Sequence, residues 1–156
     1  MEKTLSMRLL EGKKIPYQVA VYPDTERDAV KVAAYLESPP GGVFKTLVVE
    51  RDRGKPILAV IPADCNLDLK AVARTMNEKK VRMASHSQAE AMTGLQVGGI
   101  SPLALVNKGF VVLIDRSAEG LEQFYISAGK KGINLKVPVD PVRKLLRAKW
   151  ADISAD

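Results

Sequence analysis

The sequence predicts an α+β fold in which helices flank a central sheet of mixed or antiparallel strands. Short alternating apolar segments, which are typical of strands, outnumber the helical segments. These strands come in runs and do not alternate strictly with long helices, as they would around a parallel sheet. The chain has 156 residues, 46% of them hydrophobic, which suffices to fill one core. We therefore expect a single domain over residues 1–156.

The first part of the chain predicts a helix, a strand and a second helix. Residues 4–13 place leucines close to helical spacing, and residues 15–22 alternate apolar and polar side chains as a strand does. The second helix spans 26–36, because its apolar residues fall on one face and because Asp24 or Thr25 can cap its first turn.

A hairpin and a third helix follow the breaker Ser-Pro-Pro-Gly-Gly. Residues 43–50 and 57–63 are predicted strands, and the polar turn between them indicates that they pair as a hairpin. Asn66 or Asp68 then caps a helix that runs to about residue 76.

The second half of the chain predicts a capped helix, three strands and a closing helix. After a short extended segment, Ser85 and Gln88 form a capping box for a helix that ends near Gly94. Asp140-Pro141 supplies the cap and the first-turn proline of the closing helix, over residues 142–150. The three strands lie at 110–115, 123–129 and 134–137.

Composition argues against several classes of protein. No segment approaches the roughly 20 apolar residues of a membrane span, and the first residues lack the apolar stretch of a signal peptide. Cys65 is the only cysteine, so no internal disulfide forms, which fits a reducing compartment. We expect a cytoplasmic protein with no membrane contact. Metal-ligating residues do not cluster, so we expect neither a metal nor another cofactor.

The net charge is +6, from 24 basic and 18 acidic side chains. Such an excess, if it forms a stripe, favours a partner that presents a phosphate backbone; the alternative is a solvated helix face. Four Tyr, three Phe and one Trp are too few and too scattered to predict a base-stacking surface. The basic residues near the C-terminus are Lys130, Lys131, Lys136, Arg143, Lys144, Arg147 and Lys149.

Two segments predict polar sites that lack the usual catalytic side chains. Lys45 lies beside Thr46 inside an apolar strand, where its charge requires a partner or a cleft that admits an anion. The alternative is a lysine that snorkels from an edge. Within residues 95–105, Gly98 and Gly99 are followed by Ile-Ser-Pro, which suits neither a helix nor a strand. The alternative there is a tight bulge that only turns the chain.

Consecutive glycines let backbone N–H groups converge on an anion, and a following Pro102 stiffens the bend. The sequence gives little support for a catalytic triad or for a cysteine nucleophile. His86, the only histidine, lies at a predicted helix cap, and no GxSxG elbow accompanies it. Cys65 has no neighbouring base, which indicates a half-buried thiol. The expected oxyanion donors are the amides of Gly98, Gly99, Ile100 and Ser101.

Three segments together resemble the YbaK/EbsC family: VFKTLVV around Lys45, VGGISPL at 97–103, and ISAGKKG at 126–132. These proteins are free-standing aminoacyl-tRNA deacylases related to the editing insertion domain of bacterial prolyl-tRNA synthetase. The resemblance covers nearly the whole chain and implies the fold of that editing domain. The Gly-Gly-Ile-Ser-Pro form is similar to the branch that clears cysteine from mischarged proline tRNA.

The resemblance implies an active site around a scissile ester. It places Lys45 in that site and arranges Gly98, Gly99, Ile100 and Ser101 around the ester. Where some relatives have an aspartate, this chain has Asn134, so no ionised carboxylate is present at that position. The expected substrate-binding residues are Tyr22, Thr46, Pro102, Gly129, Lys130 and Asn134.

The expected substrate is an ester between an amino acid and the terminal ribose of tRNA, cleaved through positioning and oxyanion stabilisation. The resemblance implies that, in the cysteine branch, the substrate thiol attacks its own carbonyl and releases a thiolactone; attack by water is the alternative. The expected partners are the acceptor end of proline tRNA and prolyl-tRNA synthetase. Two other interpretations stay open, namely a non-catalytic tRNA- or synthetase-binding module and a deacylase for another small amino acid such as alanine.

Overall fold

The predicted runs of strands form a five-stranded and a three-stranded sheet that share one core, together with a two-stranded ladder, and there are five helices. The computed structural model describes residues 1–156. The helices are α1 (Leu5–Gly12), α2 (Ala29–Tyr35), α3 (Leu69–Thr75), α4 (His86–Thr93) and α5 (Val139–Leu146). The strands are β1 (Gln18–Val21), β2 (Phe44–Arg51), β3 (Ile57–Pro62), β4 (Asn66–Leu67), β5 (Val81–Met83), β6 (Val111–Asp115), β7 (Gln123–Ser127), β8 (Ile133–Pro138), β9 (Lys149–Ala151) and β10 (Ser154–Ala155). None of the helices is both long enough and apolar enough to cross a lipid bilayer.

The larger sheet is mixed and has the strand order β5-β2-β3-β6-β9. Within it β5, β2 and β3 are antiparallel, whereas β6 runs parallel to both β3 and β9. The smaller sheet is antiparallel, with the order β1-β8-β7, and β4 and β10 form a separate ladder. This topology confirms the predicted α+β class, the mixed sheet and the β2–β3 hairpin.

The main core fills the space between the two sheets. It contains 23 buried residues, and Phe44 on β2 meets Phe124 on β7 with ring centroids 5.1 Å apart. Strand β3 is buried at every position, which explains its continuous apolar sequence. A second cluster, of 11 buried residues, packs α3 against the other face of the larger sheet. Both clusters include residues of β2 and β3, so these two strands are fixed from both faces.

The predicted start of α2 is wrong. Its cap is Asp28, not Asp24 or Thr25, and the Asp28 carboxylate accepts a hydrogen bond from a first-turn amide at 2.9 Å. The chain first closes a turn in which the Glu26 amide donates to the Pro23 carbonyl at 3.0 Å. The helix therefore begins one turn later than its apolar pattern predicts.

The closing helix α5 is shorter than predicted. It ends at Leu146 because Arg147 takes a left-handed conformation, with φ of 53°. Residues 149–151 then join the larger sheet as β9, beside β6. Pro138 is the residue at the cap, and Asp140 lies inside the first turn. A local pattern does not reveal this pairing, since it depends on a strand far along the chain.

The basic residues near the C-terminus are distributed over the β7–β8 turn, β8, α5 and β9. Arg143 and Lys144 form ion pairs with Asp140, at 3.5 and 3.1 Å. The Lys136 ammonium lies 5.8 Å from the centre of the Tyr125 ring. Several members of the expected stripe therefore have partners within the protein.

Candidate active site

A gap in the strand pairing of β2 opens the cleft that forms the candidate active site. Strand β5 pairs with β2 only from Val49 to Arg51, and just before that ladder the Ala84 amide donates to the Val48 carbonyl at 3.0 Å. At the other end, β7 meets β2 in a single bridge between Val43 and Tyr125. Between these pairings the outer edge of β2 is open, and a cleft of about 660 Å³ lies against it.

The walls of the cleft come from the open edge of β2, α2, α4, the β7–β8 region and the glycine loop, which we define as residues 96–102. The structure therefore brings the predicted lysine and part of the predicted loop to one cavity. The predicted site residues in its wall are Tyr22, Lys45, Thr46, Gly98, Ile100 and Asn134. The predicted site residues outside its wall are Gly99, Ser101, Pro102, Gly129 and Lys130.

Lys45 reaches the cleft from the face of β2 that is turned away from the main core. It pairs with Ile61 of β3, and its ammonium donates to the Ala63 carbonyl at 3.2 Å. It takes part in none of the ion pairs of the protein. An ammonium carries three donors, so this half-buried group retains N–H bonds for a ligand.

Thr46 lies at the centre of the gap. The Val48 carbonyl accepts from the β5 side, whereas the Val43 carbonyl accepts from Ala63, which follows β3, at 2.8 Å. Because backbone polar groups alternate between the two edges of a strand, those of Thr46 point to the open edge. The Thr46 side chain, which the sequence predicts as a site residue, is thus accompanied by the unpaired backbone N–H and C=O of the same residue.

Two residues of the glycine loop line the cleft and have amides without a partner in the protein. Gly98 has φ of 92°, a conformation that favours glycine, and its carbonyl accepts from the Tyr22 hydroxyl at 3.4 Å. The amides of Gly98 and Ile100 have no acceptor within the protein. Since both residues line the cleft, these N–H groups are available to a ligand.

Gly99 has a different part in the loop. Its amide donates to the Gln96 carbonyl at 2.8 Å, so this N–H is not available as the expected oxyanion donor. A β-carbon on Gly99 would lie 2.9 Å from backbone atoms of both Lys130 and Lys131. Glycine is required there because the loop and the β7–β8 turn approach each other at this point. Lys130 contributes its backbone to that contact, and its side chain is exposed.

Ser101, Pro102 and Gly129 support the loop from behind. Ser101 is fully buried, and its hydroxyl accepts from the Leu103 amide at 3.2 Å. Pro102 precedes a short 3-10 turn over Leu103–Leu105. Gly129, at φ of 96°, packs against that turn and against Ser101. These residues were expected to contact substrate, but the structure places them outside the cleft wall.

Ser127 and Asn134 pair across β7 and β8 and line the cleft together. The Ser127 hydroxyl accepts from the Gly129 amide at 3.1 Å. Asn134 is only 5% exposed, and it lines the cleft. An amide side chain carries both a donor and an acceptor, so this group is suited to bind a polar atom of a ligand.

Tyr22 is 8% exposed and packs beside Gly98. Burial raises the pKa of Tyr22, against smaller opposing effects of the Gly132 backbone and the Arg27 charge. The phenol therefore stays neutral at physiological pH and acts as a hydrogen-bond donor.

Residues 23–145 match the family model of the aminoacyl-tRNA editing domain. The match spans well over half of the chain. The chain belongs to the aminoacyl-tRNA editing domain family. This confirms the predicted family and the predicted class of enzyme, an aminoacyl-tRNA deacylase.

Curated relatives of this editing domain include a free-standing protein and parts of synthetases. The candidate Cys-tRNA(Pro)/Cys-tRNA(Cys) deacylase EbsC of Enterococcus faecalis is 34% identical, over 98% of this chain and 94% of its own length. A proline–tRNA ligase of Dehalococcoides mccartyi is 29% identical over 98% of this chain. One of Geobacter metallireducens is 25% identical over 71%. The editing domain spans only 25% and 19% of those two ligases.

Solved structures confirm the fold of the editing domain. The crystal structure of a hypothetical protein superposes with a TM-score of 0.88 at 23% identity, covering 97% of this chain and 99% of that one. The crystal structure of a candidate trans-editing enzyme for prolyl tRNA synthetase gives a TM-score of 0.81 at 21% identity, covering 97% and 98%.

Sequence reasoning missed several side chains in the wall of the editing-domain cleft. Ser127 lies inside the ISAGKKG segment, where its position at a strand end next to glycine was a usable signal. His86 was correctly placed at a helix cap, but only the packing of α4 shows that it borders the cleft. Arg27 lies in a loop, where a charged residue is ordinary and carries no signal, and Lys131 was identified only as one of the basic residues that favour a phosphate partner.

Proposed function

We propose that this editing domain acts in trans to remove cysteine from mischarged proline tRNA, Cys-tRNA(Pro). The observation that carries the proposal is that the Lys45 ammonium and the unpaired amides of Gly98 and Ile100 line one cleft. The similarity to the Enterococcus faecalis protein supports the choice of substrate. The cleft, at about 660 Å³, also has the size of a pocket for a whole ligand, such as an aminoacyl group with its nucleoside.

In this proposal the cleft binds the ester without a catalytic acid or base. Lys45 binds the terminal ribose beside the scissile bond. The amides of Gly98 and Ile100 bind the carbonyl oxygen, and they strengthen that contact as the oxygen becomes an oxyanion. Thr46 and Asn134 bind the polar atoms of the aminoacyl group. Holding an already activated ester in this geometry lowers the barrier by positioning.

The nucleophile is the thiol of the substrate. Cys65 lies outside the cleft wall, and burial, together with the charge of Asp64, raises the pKa of its thiol. The cysteinyl sulfur bonds to its own carbonyl carbon, the ester C–O bond breaks, and the thiol proton passes to the ribose oxygen. The products are cysteine thiolactone and a tRNA with a free terminal hydroxyl.

The same proposal assigns the protein to the cytoplasm, where tRNA is charged. It also assigns prolyl-tRNA synthetase as the partner that releases the mischarged tRNA. The relation of this chain to segments of proline–tRNA ligases supports that pairing.

The test is a panel of proline tRNAs charged with cysteine, alanine, proline or S-methylcysteine. We expect fast deacylation of the cysteinyl ester only, because the other three esters lack a free thiol. Equal cleavage of the S-methylcysteinyl ester would replace the thiol mechanism with attack by water. Cleavage of the alanyl ester alone would assign a different substrate. Binding of tRNA without any deacylation would indicate a non-catalytic module.

A further inference from the structure

We propose that Arg27 and Lys131 form a clamp for the phosphodiester that precedes the terminal nucleoside of the substrate. This inference rests on the proposed function, because it concerns the RNA part of the same substrate. Arg27 comes from the loop before α2 and Lys131 from the β7–β8 turn. The two side chains nevertheless meet over Gly98 at the wall of the cleft.

The convergence of the two cations is visible at Gly98. A β-carbon on this glycine would lie 3.5 Å from Cδ and 3.6 Å from Nη1 of Arg27, and 3.6 Å from Cγ of Lys131. Two cationic side chains that border the same part of the cleft favour an anion as the ligand there.

The carboxylates of the cleft form no ion pair with either cation. Glu26 accepts from the Asp28 amide at 3.2 Å, Asp28 from an amide of α2 at 2.9 Å, and Glu90 from the amide of Val97 at 2.8 Å. Each acidic group is thus engaged with backbone. Neither Arg27 nor Lys131 belongs to any ion pair.

The guanidinium is oriented for an incoming ligand. Nη1 of Arg27 donates to the carbonyls of Asp24 and Glu26, which fixes the side chain and leaves the N–H groups on Nε and Nη2 unpaired. A guanidinium fork matches the two free oxygens of a phosphodiester, and a lysine adds a point charge beside it. Phosphodiesters are the anions that a charged tRNA end carries, since the aminoacyl ester itself is neutral.

The test compares an RNA substrate with its nucleoside fragment. A cysteinyl minihelix with the acceptor sequence of proline tRNA carries the phosphodiester, and cysteinyl-adenosine lacks it. The ratio of kcat/KM for the minihelix to kcat/KM for cysteinyl-adenosine measures the preference for the phosphodiester. For the double variant Arg27→Gln/Lys131→Gln, we expect this ratio to fall about tenfold, mostly because KM for the minihelix rises. Lys70→Gln removes an exposed lysine outside the cleft and is the matched control. An unchanged preference, or an equal loss on both substrates, would overturn the clamp.

A binding measurement separates this inference from the proposed function. Uncharged minihelix is titrated by fluorescence anisotropy at several salt concentrations. Each single-stranded phosphate that is contacted contributes about 0.7 to the slope of log K against log salt, so the double variant, which loses the clamp on one phosphodiester, loses about 0.7. If the wild-type protein cleaves neither ester but the double variant shows this loss of slope, the deacylase proposal fails and the phosphate clamp stands. An unchanged slope would refute the clamp whatever the activity.

Discussion

Replacing Lys45 with methionine removes the ammonium from the cleft and keeps an unbranched side chain. Lys45 makes one hydrogen bond within the protein, to the Ala63 carbonyl at 3.2 Å. Losing it costs about 1 kcal/mol of unfolding free energy, and the flexible thioether offsets part of that through packing. A hydrogen bond from a charged donor to the substrate contributes about 1.5–3 kcal/mol. We therefore expect kcat/KM to fall about tenfold to 150-fold while the fold is retained.

The assay is deacylation of Cys-tRNA(Pro), with far-UV circular dichroism and thermal unfolding as the check on the fold. Lys70→Met is the control, since Lys70 is exposed on α3 and lies outside the cleft. We expect it to match the wild type within about 0.5 kcal/mol in stability, as surface substitutions do, and to retain full activity. A folded Lys45→Met protein with undiminished kcat/KM would refute the reasoning that this ammonium acts on the substrate.

Three further substitutions test a contact behind the glycine loop, a hydrogen-bonded carboxylate and the free cysteine. Gly99→Ala places a β-carbon 2.9 Å from backbone atoms of residues 130–131, so urea denaturation should show a loss of about 1–3 kcal/mol; wild-type stability would disprove that contact. Asp115 accepts from three backbone amides; burial alone would raise the pKa of Asp115, but hydrogen bonds from the Ser117 side chain, the Ile153 and Ser117 backbone and the Ser154 side chain hold it below its ordinary value of 3.8. Its stabilising contribution is therefore present above pH 3.8 and is lost as the pH falls through the lower folded-state pKa. In Asp115→Asn, the melting temperature should therefore fall less steeply as the pH drops below 3.8. An unchanged dependence on pH would show that other carboxylates cause the loss of stability. Cys65→Ser should leave deacylation unchanged, because Cys65 lies outside the cleft; loss of activity in a folded variant would make it a nucleophile.

Local chemistry predicted most of the elements. The capping box of Ser85 and Gln88 and the cap by Asp68 fall where the sequence indicates, because a cap is decided within one turn. The predictions failed where pairing with a distant strand decides the secondary structure. The sequence pattern extends the closing helix to residue 150, yet residues 149–151 form β9 because β6 offers an unpaired edge.

The candidate site was predicted only in part, for a related reason. Lys45 places a charge in an apolar strand, and Gly98 places a glycine in an apolar segment. Both conflict with the local sequence pattern, and such conflicts mark functional positions. Arg27 and Lys131 break no pattern, and they become significant only when two turns meet over one glycine. The unpaired backbone of Thr46 leaves no trace in the sequence, since it follows from where β5 and β7 stop pairing with β2.

In the proposed mechanism the gap in the edge of β2 helps to position the substrate, and the thiol of the substrate makes the reaction selective. The strand is fixed from both faces by the two cores, so the backbone groups of Thr46 are held rigidly, and rigid donors need no reorganisation during the reaction. A pocket that separated cysteine from alanine by size alone would gain only about 1–3 kcal/mol. If the substrate supplies the thiol, an amino acid without one cannot react however well it binds. Selectivity then comes from the chemistry of the substrate, and the cleft has only to bring thiol, carbonyl and oxyanion donors into line.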